Sequence, residues 1–194
     1  MNYYIADAHF CHVNILKYDS RPWDDVDSME SDMIALWNGK VTDSDDIYIL
    51  GDFCWGSSEN WRRILPQLKG KKHLIKGNHD LRKFPKDILG FFEEEPVPCM
   101  EIKDGEHNVI MCHYPMISYR HDSKPDTVML YGHVHTTPEF YAVAESVKKM
   151  RECCVASGFD YQGQLYNCWC GFFGWAPASL DEILNNRYAK GETD

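Results

Sequence analysis

Five short polar pieces punctuate this chain, and each follows an apolar run with strand character: Asp7-Ala8-His9, Gly51-Asp52, Gly77-Asn78-His79-Asp80, His113 and Gly132-His133-Val134-His135. The runs Tyr3-Tyr4-Ile5-Ala6, Ile47-Tyr48-Ile49-Leu50, His73-Leu74-Ile75-Lys76 and Val128-Met129-Leu130-Tyr131 are short and rich in β-branched and aromatic residues. That texture predicts strands. One sheet edge then gathers all five pieces beyond the carboxyl ends of the strands, where α/β folds place their sites.

Between the first two runs a helix is predicted, with Asp27 as N-cap and Met29, Met33, Leu36 and Trp37 on one face. A second is predicted over residues 59–68, limited or bent by Pro66. Strand, helix, strand, helix, strand is an α/β order. After Pro96, residues 97–103 and 108–112 read as two strands joined through Asp104-Gly105, so the second half is expected to be more antiparallel. Ser179-Leu180-Asp181-Glu182 fits a capping box opening a last helix that runs to Tyr188, and residues 163–177 read as a glycine- and aromatic-rich loop. Residues 191–194 read as frayed. Without repeats, linkers or low-complexity segments, residues 1–194 are expected to form a single domain that buries roughly 70% of its extended surface.

The formal charge is −10, from 30 acidic against 20 basic residues. Binding along a nucleic-acid backbone needs clustered Lys and Arg, so no stable nucleic-acid partner is expected. A small phosphate compound stays compatible, because divalent ions can reverse the field locally. No stretch approaches the roughly 20 apolar residues of a membrane span, and Met1-Asn2-Tyr3-Tyr4 lacks the layout of a secretion signal. The expectation is a cytoplasmic protein without a membrane partner. Its 8 cysteines are then reduced and mostly small buried hydrophobes. Cys153-Cys154 and Cys168-Trp169-Cys170 lack the two-to-four-residue spacing of structural zinc sites.

The polar pieces supply imidazole, carboxylate and amide donors, a mixture suited to divalent first-row metals. In their order they resemble the calcineurin-like metallophosphoesterases, and in particular the small bacterial and phage phosphoesterases of that superfamily. Residues 155–160 and 177–181 resemble that family's closing Asn-Val-Gly-Val-Asp and Pro-x-Ser-Leu-Asp segments. The resemblance implies a four-layer α/β/β/α sandwich of two mixed β-sheets flanked by helices. It implies two divalent ions (Mn, Fe, Ni, Co or Zn, with Mn favoured), one held by Asp7, His9, Asp52 and His135 and the other by Asp52, Asn78, His113 and His133. Asp52 is the shared ligand.

The reaction it implies is hydrolysis of phosphomono- or phosphodiester bonds of a small substrate by a hydroxide bridging the two ions, without a phosphoenzyme. His79 is the implied acid at the leaving group. Two carboxylates against two divalent ions leave an excess of two positive charges, which suits an anionic substrate and favours an amide rather than a carboxylate at Asn78.

Many family members carry a second aspartate three residues after the shared one, where it orients the catalytic histidine; here Trp55 stands there. Asp80 or a carbonyl is the candidate replacement. His12 sits where one branch of the family has a histidine at the rim, so it is read either as a substrate-binding residue or as an exposed loop histidine. Arg21 and Arg82 could fork onto a phosphate, though surface pairing is the commoner fate of such residues. Trp55, Trp61, Trp169, Trp175 and Tyr166 are read as core or loop packing, with some available to wall a pocket. Two other functions use the same residues differently: a nuclease with this site, and a scaffold that keeps the fold without catalysis.

Overall fold

The computed structural model describes residues 1–191; residues 192–194, and with them most of the expected frayed end, lie outside the described residues. Chain order runs β1 (Asn2–Ile5), α1 (Ile15–Tyr18), α2 (Val26–Lys40), β2 (Asp46–Ile49), α3 (Ser58–Ile64) with a 3-10 turn (Leu65–Gln67), β3 (Lys71–Leu74) and α4 (Lys86–Leu89). It continues with β4 (Cys99–Asp104), β5 (His107–Cys112), β6 (Thr127–Tyr131), α5 (Pro138–Ala156), β7 (Leu165–Asn167), a second 3-10 turn (Cys170–Phe173), β8 (Ala178–Ser179) and α6 (Leu180–Leu184). Among the described residues, no helix is long and apolar enough to cross a membrane.

The strands form two four-stranded sheets, ordered β3-β2-β1-β8 and β4-β5-β6-β7. In the first, β1, β2 and β3 are parallel and β8 is antiparallel to β1. In the second, β4 and β5 are antiparallel, whereas β5, β6 and β7 are parallel. Both sheets are mixed, so the expected antiparallel character is confined to one hairpin. Its turn is Gly105-Glu106, one residue later than expected, because Asp104 pairs with His107 and Gly105 takes the positive φ of the turn.

Strand alternation sorts the core into three slabs. Tyr4, Tyr48 and Leu50 from the first sheet meet Val109, Met111, Val128 and Leu130 from the second. Ile5, Ile47, Ile49 and Leu74 face outward onto Met29, Met33 and Trp37 of α2 and Trp61 and Ile64 of α3. On the far side, Ile110, Met129 and Leu165 pack beneath Phe140 and Val147 of α5. The result is the α/β/β/α sandwich: helices, sheet, sheet, helix. Tyr166 lies in the middle slab, and Trp61 and Trp169 lie in the first outer slab.

Several element edges differ from expectation for local reasons. The N-cap of α2 is Asp25, which is extended (φ −143°) and accepts a 2.7 Å bond from the Ser28 amide; Asp27 sits in the first turn, where its charge complements the helix dipole. Leu36 is exposed. The second predicted helix stops at Ile64 and tightens to 3-10 geometry at Pro66. Strand β3 begins two residues early, at Lys71 opposite Asp46, and Ile75 leaves it to bridge Val97. The predicted loop 163–177 holds β7 and a 3-10 turn, and α6 ends at Leu184, capped by the expected Ser179–Glu182 box. Helix α5 had no counterpart in the sequence reading, and residues 155–160 form its last turn and the segment after it, with Val155 and Phe159 exposed.

Trp61 is fully buried, with its ring against Phe53, Phe84 and Phe92. Trp61→Ala should lower unfolding free energy by about 3–5 kcal/mol in urea titration, because the slab between α3 and the sheet cannot close over the lost ring.

Candidate metal centre

The parallel strands point their carboxyl ends one way, and the chain turns sharply as it leaves each. After β1, Ala6 bridges to Trp169, Asp7 donates its amide to the Gly51 carbonyl at 3.1 Å and His9 donates to the Asp52 carbonyl at 3.0 Å. This zips the Asp7 and Asp52 loops together. Five residues there hold left-handed backbone: Asp7 (φ 57°), His9 (50°), Asp52 (50°), His133 (72°) and His135 (44°). Such conformations cost non-glycine residues energy and persist where surrounding contacts fix them. Two flanking glycines are required by crowding: a Cβ on Gly77 would collide with the Asp52 carboxylate, and one on Gly132 would lie 2.7 Å from the Asp7 carboxylate.

Two groups of ligand-type atoms result, Asp7 with His9 and His135, and Asp52 with His113 and His133, each within 4.8 Å of one another. Within the first, His9 Nε2 lies 3.3 Å from His135 Nε2, and His135 Nε2 lies 3.6 Å from Asp7 Oδ1. In the second, His113 Nε2 lies 3.5 Å from Asp52 Oδ2 and 3.0 Å from Asn78 Oδ1. Asp52 Oδ2 is also 3.8 Å from His9 Nε2, so one oxygen faces a histidine of each group. Its other oxygen accepts the His79 amide at 2.9 Å. Each group could hold a divalent ion: the donors are imidazole and carboxylate, they converge, and four of the six side chains, Asp7, His9, Asp52 and His113, are almost fully withdrawn from water.

The outer contacts orient the rings. His113 Nδ1 donates to the Leu50 carbonyl at 2.8 Å, leaving Nε2 to the site. His135 Nδ1 contacts Asp19 Oδ1 at 2.6 Å, a residue outside the sequence reading. Asp19 is gripped in turn by the Arg21 guanidinium (Nη2 3.0 Å, Nε 3.2 Å), which also donates to the Asp7 and Ala8 carbonyls at 2.9 and 2.8 Å. Arg21 therefore neither binds phosphate nor pairs at the surface; it is buried and ties the first loop to Asp19. Arg82 is exposed.

Burial opposes charge on His113, but the pairing with Asp52 and the charges of Asp7 and Asp52 outweigh it and raise its pKa to about 9. Burial likewise opposes charge on His135, and Asp19 and Asp7 overcome it, raising the value to about 10. For His9 burial prevails and lowers the pKa to about 3. Burial pushes the Asp52 carboxyl up, yet His113, the His79 amide and His9 bring it down to about 2.

The remaining predicted residues fall at the mouth. The His79 ring is exposed and, among the described residues, makes no hydrogen bond; its neighbours are the rings of Trp55 at 4.8 Å and His9 at 5.9 Å. Asp80 does not orient it. The Asp80 carboxylate instead accepts the amides of Gly77, Asp52 and Phe53 at 2.7, 3.2 and 3.0 Å, locking the two loops together. His12 is buried, not an exposed loop residue: it lies against Trp55 at 4.1 Å, and its Nδ1 has no hydrogen-bond partner. Trp55 is 38% exposed and Trp175 packs on Arg21. Among the described residues no cysteine joins either ligand group.

No protein-family model matches the chain. It is 41% identical over 80 residues to MJ1445, an uncharacterized protein of Methanocaldococcus jannaschii, a match covering 40% of this chain and 46% of that protein. The chain thus spans under half the length of that relative. Gene 66 protein of Mycobacterium phage L5 is 24% identical over 163 residues, covering 69% of this chain and 77% of the phage protein. Among solved structures, the protein of unknown function AQ665 from Aquifex aeolicus is similar over 94% of this chain and 96% of its own, with TM-score 0.66 and 24% identity. Weaker structural neighbours are Vps29 of Entamoeba histolytica (70% of this chain, 64% of that one, 14% identity, TM-score 0.38) and YfcE, a phosphoesterase from E. coli (69% of each chain, 15% identity, TM-score 0.33). The chain shares its fold, two mixed four-stranded sheets between helices, with the Aquifex aeolicus protein.

Asp19→Ala should weaken binding of one divalent ion by about 10–100-fold and spare the other, in a competition titration with a metal-sensitive dye, because only His135 loses its orienting partner. A second test is pH. With His113 at about 9 and His135 at about 10, both rings are protonated near neutrality in the metal-free protein. Loading with metal at about pH 7 should release about two protons per chain, read by calorimetry in buffers of different ionisation heat, and affinity should rise with pH until both values are passed. The sign for folding is opposite: the stability these raised groups lend the metal-free protein is complete below the ordinary 6.5 and is lost as pH rises through about 9 and 10.

Proposed function

We propose that the chain is a metal-dependent phosphoesterase that hydrolyses a phosphomono- or phosphodiester bond of a small substrate. The observation that carries this reading is the placement of Asp52 Oδ2, 3.5 Å from His113 Nε2 and 3.8 Å from His9 Nε2, between two groups that each suit a divalent ion. Asp7, His9, Asp52 and His135 would hold one ion, and Asp52, Asn78, His113 and His133 the other, with manganese favoured. When bound, such a pair clamps a phosphate and makes water a stronger nucleophile near neutrality.

The chain's own groups would do the rest. His79, whose ring is exposed beside the ligands and makes no hydrogen bond among the described residues, would give a proton from its ring to the leaving oxygen. Trp55, against one side of that ring, limits its rotation in place of an acidic partner. His12, whose ring lies 5.5 Å from that of His9 between centroids, would contact a substrate oxygen. The net charge of −10 favours a compact anion over an extended nucleic acid, and we place the protein in the cytoplasm.

A chromogenic phosphate ester with added manganese tests the reading. Turnover is expected, with His79→Ala lowering kcat by about 10²–10⁴ while metal content is unchanged, and Asp52→Asn losing bound metal. Unchanged turnover in His79→Ala would remove the acid role, and no turnover with Mn, Fe, Co, Ni or Zn on mono-, di- and cyclic phosphates would return the chain to the scaffold reading.

A further inference from the structure

Cys11 and Cys54 lie on the two loops that carry His9 and Asp52, and their sulfurs are in contact. The Cys54 thiol donates to Cys11 Sγ at 3.7 Å, across the point where Phe10 bridges Cys54 and accepts the Trp55 amide at 2.8 Å. Cys11 is partly open to solvent, whereas Cys54 is 2% exposed. The Arg63 guanidinium sits 3.0 Å from Cys11 Sγ and is itself held by Glu30, whose carboxylate also accepts the Cys11 amide at 2.9 Å. One accessible sulfur beside a fixed positive charge thus backs onto one buried sulfur.

We infer that Cys11 and Cys54 are an oxidation site at which a peroxide joins them as a disulfide between the two loops. Cys11 sulfur attacks one peroxide oxygen; the O–O bond breaks, the other oxygen leaves as water, and Cys11 becomes a sulfenic acid. Cys54 sulfur then attacks Cys11 sulfur, forming the S–S bond and releasing the hydroxyl as a second water that carries the last thiol proton. The two sulfurs together lose two electrons, and the peroxide is reduced to two waters. Negative charge developing on the attacked oxygens and on Cys11 falls beside Arg63, which stabilises it.

Bond formation requires the sulfurs to close from 3.7 Å to about 2.05 Å, a movement within reach of turns that already touch. Cys168 and Cys170 are buried away from solvent, so peroxide reaches them last; Cys99, opposite Cys112 across β4 and β5, is the competing pair. The site forms whether or not the chain hydrolyses phosphate esters.

The test is peptide mapping of the full chain by mass spectrometry without reduction, after treatment with hydrogen peroxide and blocking of remaining thiols. A Cys11 peptide linked to a Cys54 peptide, lighter by two hydrogens and separated again by dithiothreitol, is expected. In Cys54→Ala the linked species should vanish and Cys11 should take up a dimedone label, since its sulfenic acid then has no thiol to meet. Recovery of Cys11 and Cys54 unlinked while Cys99 and Cys112 are joined, or no dimedone label on Cys11 in Cys54→Ala, would overturn the assignment.

Discussion

The structure depends on holding several acids and imidazoles together in left-handed backbone at the end of a buried sheet. Asp7, His9, Asp52, His133 and His135 all adopt positive φ, at a cost of order 1 kcal/mol or more each. The parallel β1-β2-β3 platform and its hydrogen bonds to the neighbouring loops balance that cost. The loops are not independent: Asp7 amide to Gly51 carbonyl, His9 amide to Asp52 carbonyl, and Asp80 carboxylate to three amides make one rigid rim. Rigidity of this kind is what an ion site needs, because ligands must be in place before the cation arrives.

Burying so much charge raises its own problem, which the chain meets by pairing. Asp52 lies among His9, His113 and the His79 amide, and Asp7 accepts the His133 amide with both oxygens at 3.0 Å. Asp19 and Arg21 form a buried pair that would be expensive if either stood alone, and Arg21 spends its other donors on the carbonyls of the Asp7 loop. Left unpaired by cations, the carboxylates draw protons onto His113 and His135. Divalent ions would replace those protons.

Much of this was legible in the sequence, because the strands are apolar runs that stop at polar residues and that pattern alone predicts a ligand-bearing edge. The six aspartates and histidines of the two groups were all named there, together with Asn78, His79 and His12. What was hidden was whatever depends on contacts between distant segments. Asp19 carries no spacing relation to His135, and Arg21 looked like any surface arginine until its five-donor fork met the carbonyls of the Asp7 loop. Helix α5 escaped notice because among its 19 residues only Phe140 and Val147 are buried, too sparse a stripe to stand out, although Thr137-Pro138-Glu139 is a reasonable helix opening. Trp55 was recognised as a departure, but only the structure puts its ring against both His79 and His12.

On the proposed function, Asp52 would stand between two cation sites. Diffraction from crystals of the manganese-loaded protein, with anomalous differences collected at the manganese edge, tests it most directly. Two peaks roughly 3.5–4 Å apart, one beside Asp7, His9 and His135 and the other beside His113 and His133, with the Asp52 carboxylate touching both, are predicted. A single peak, or peaks elsewhere with Asp52 still bound only to protein atoms, would contradict it.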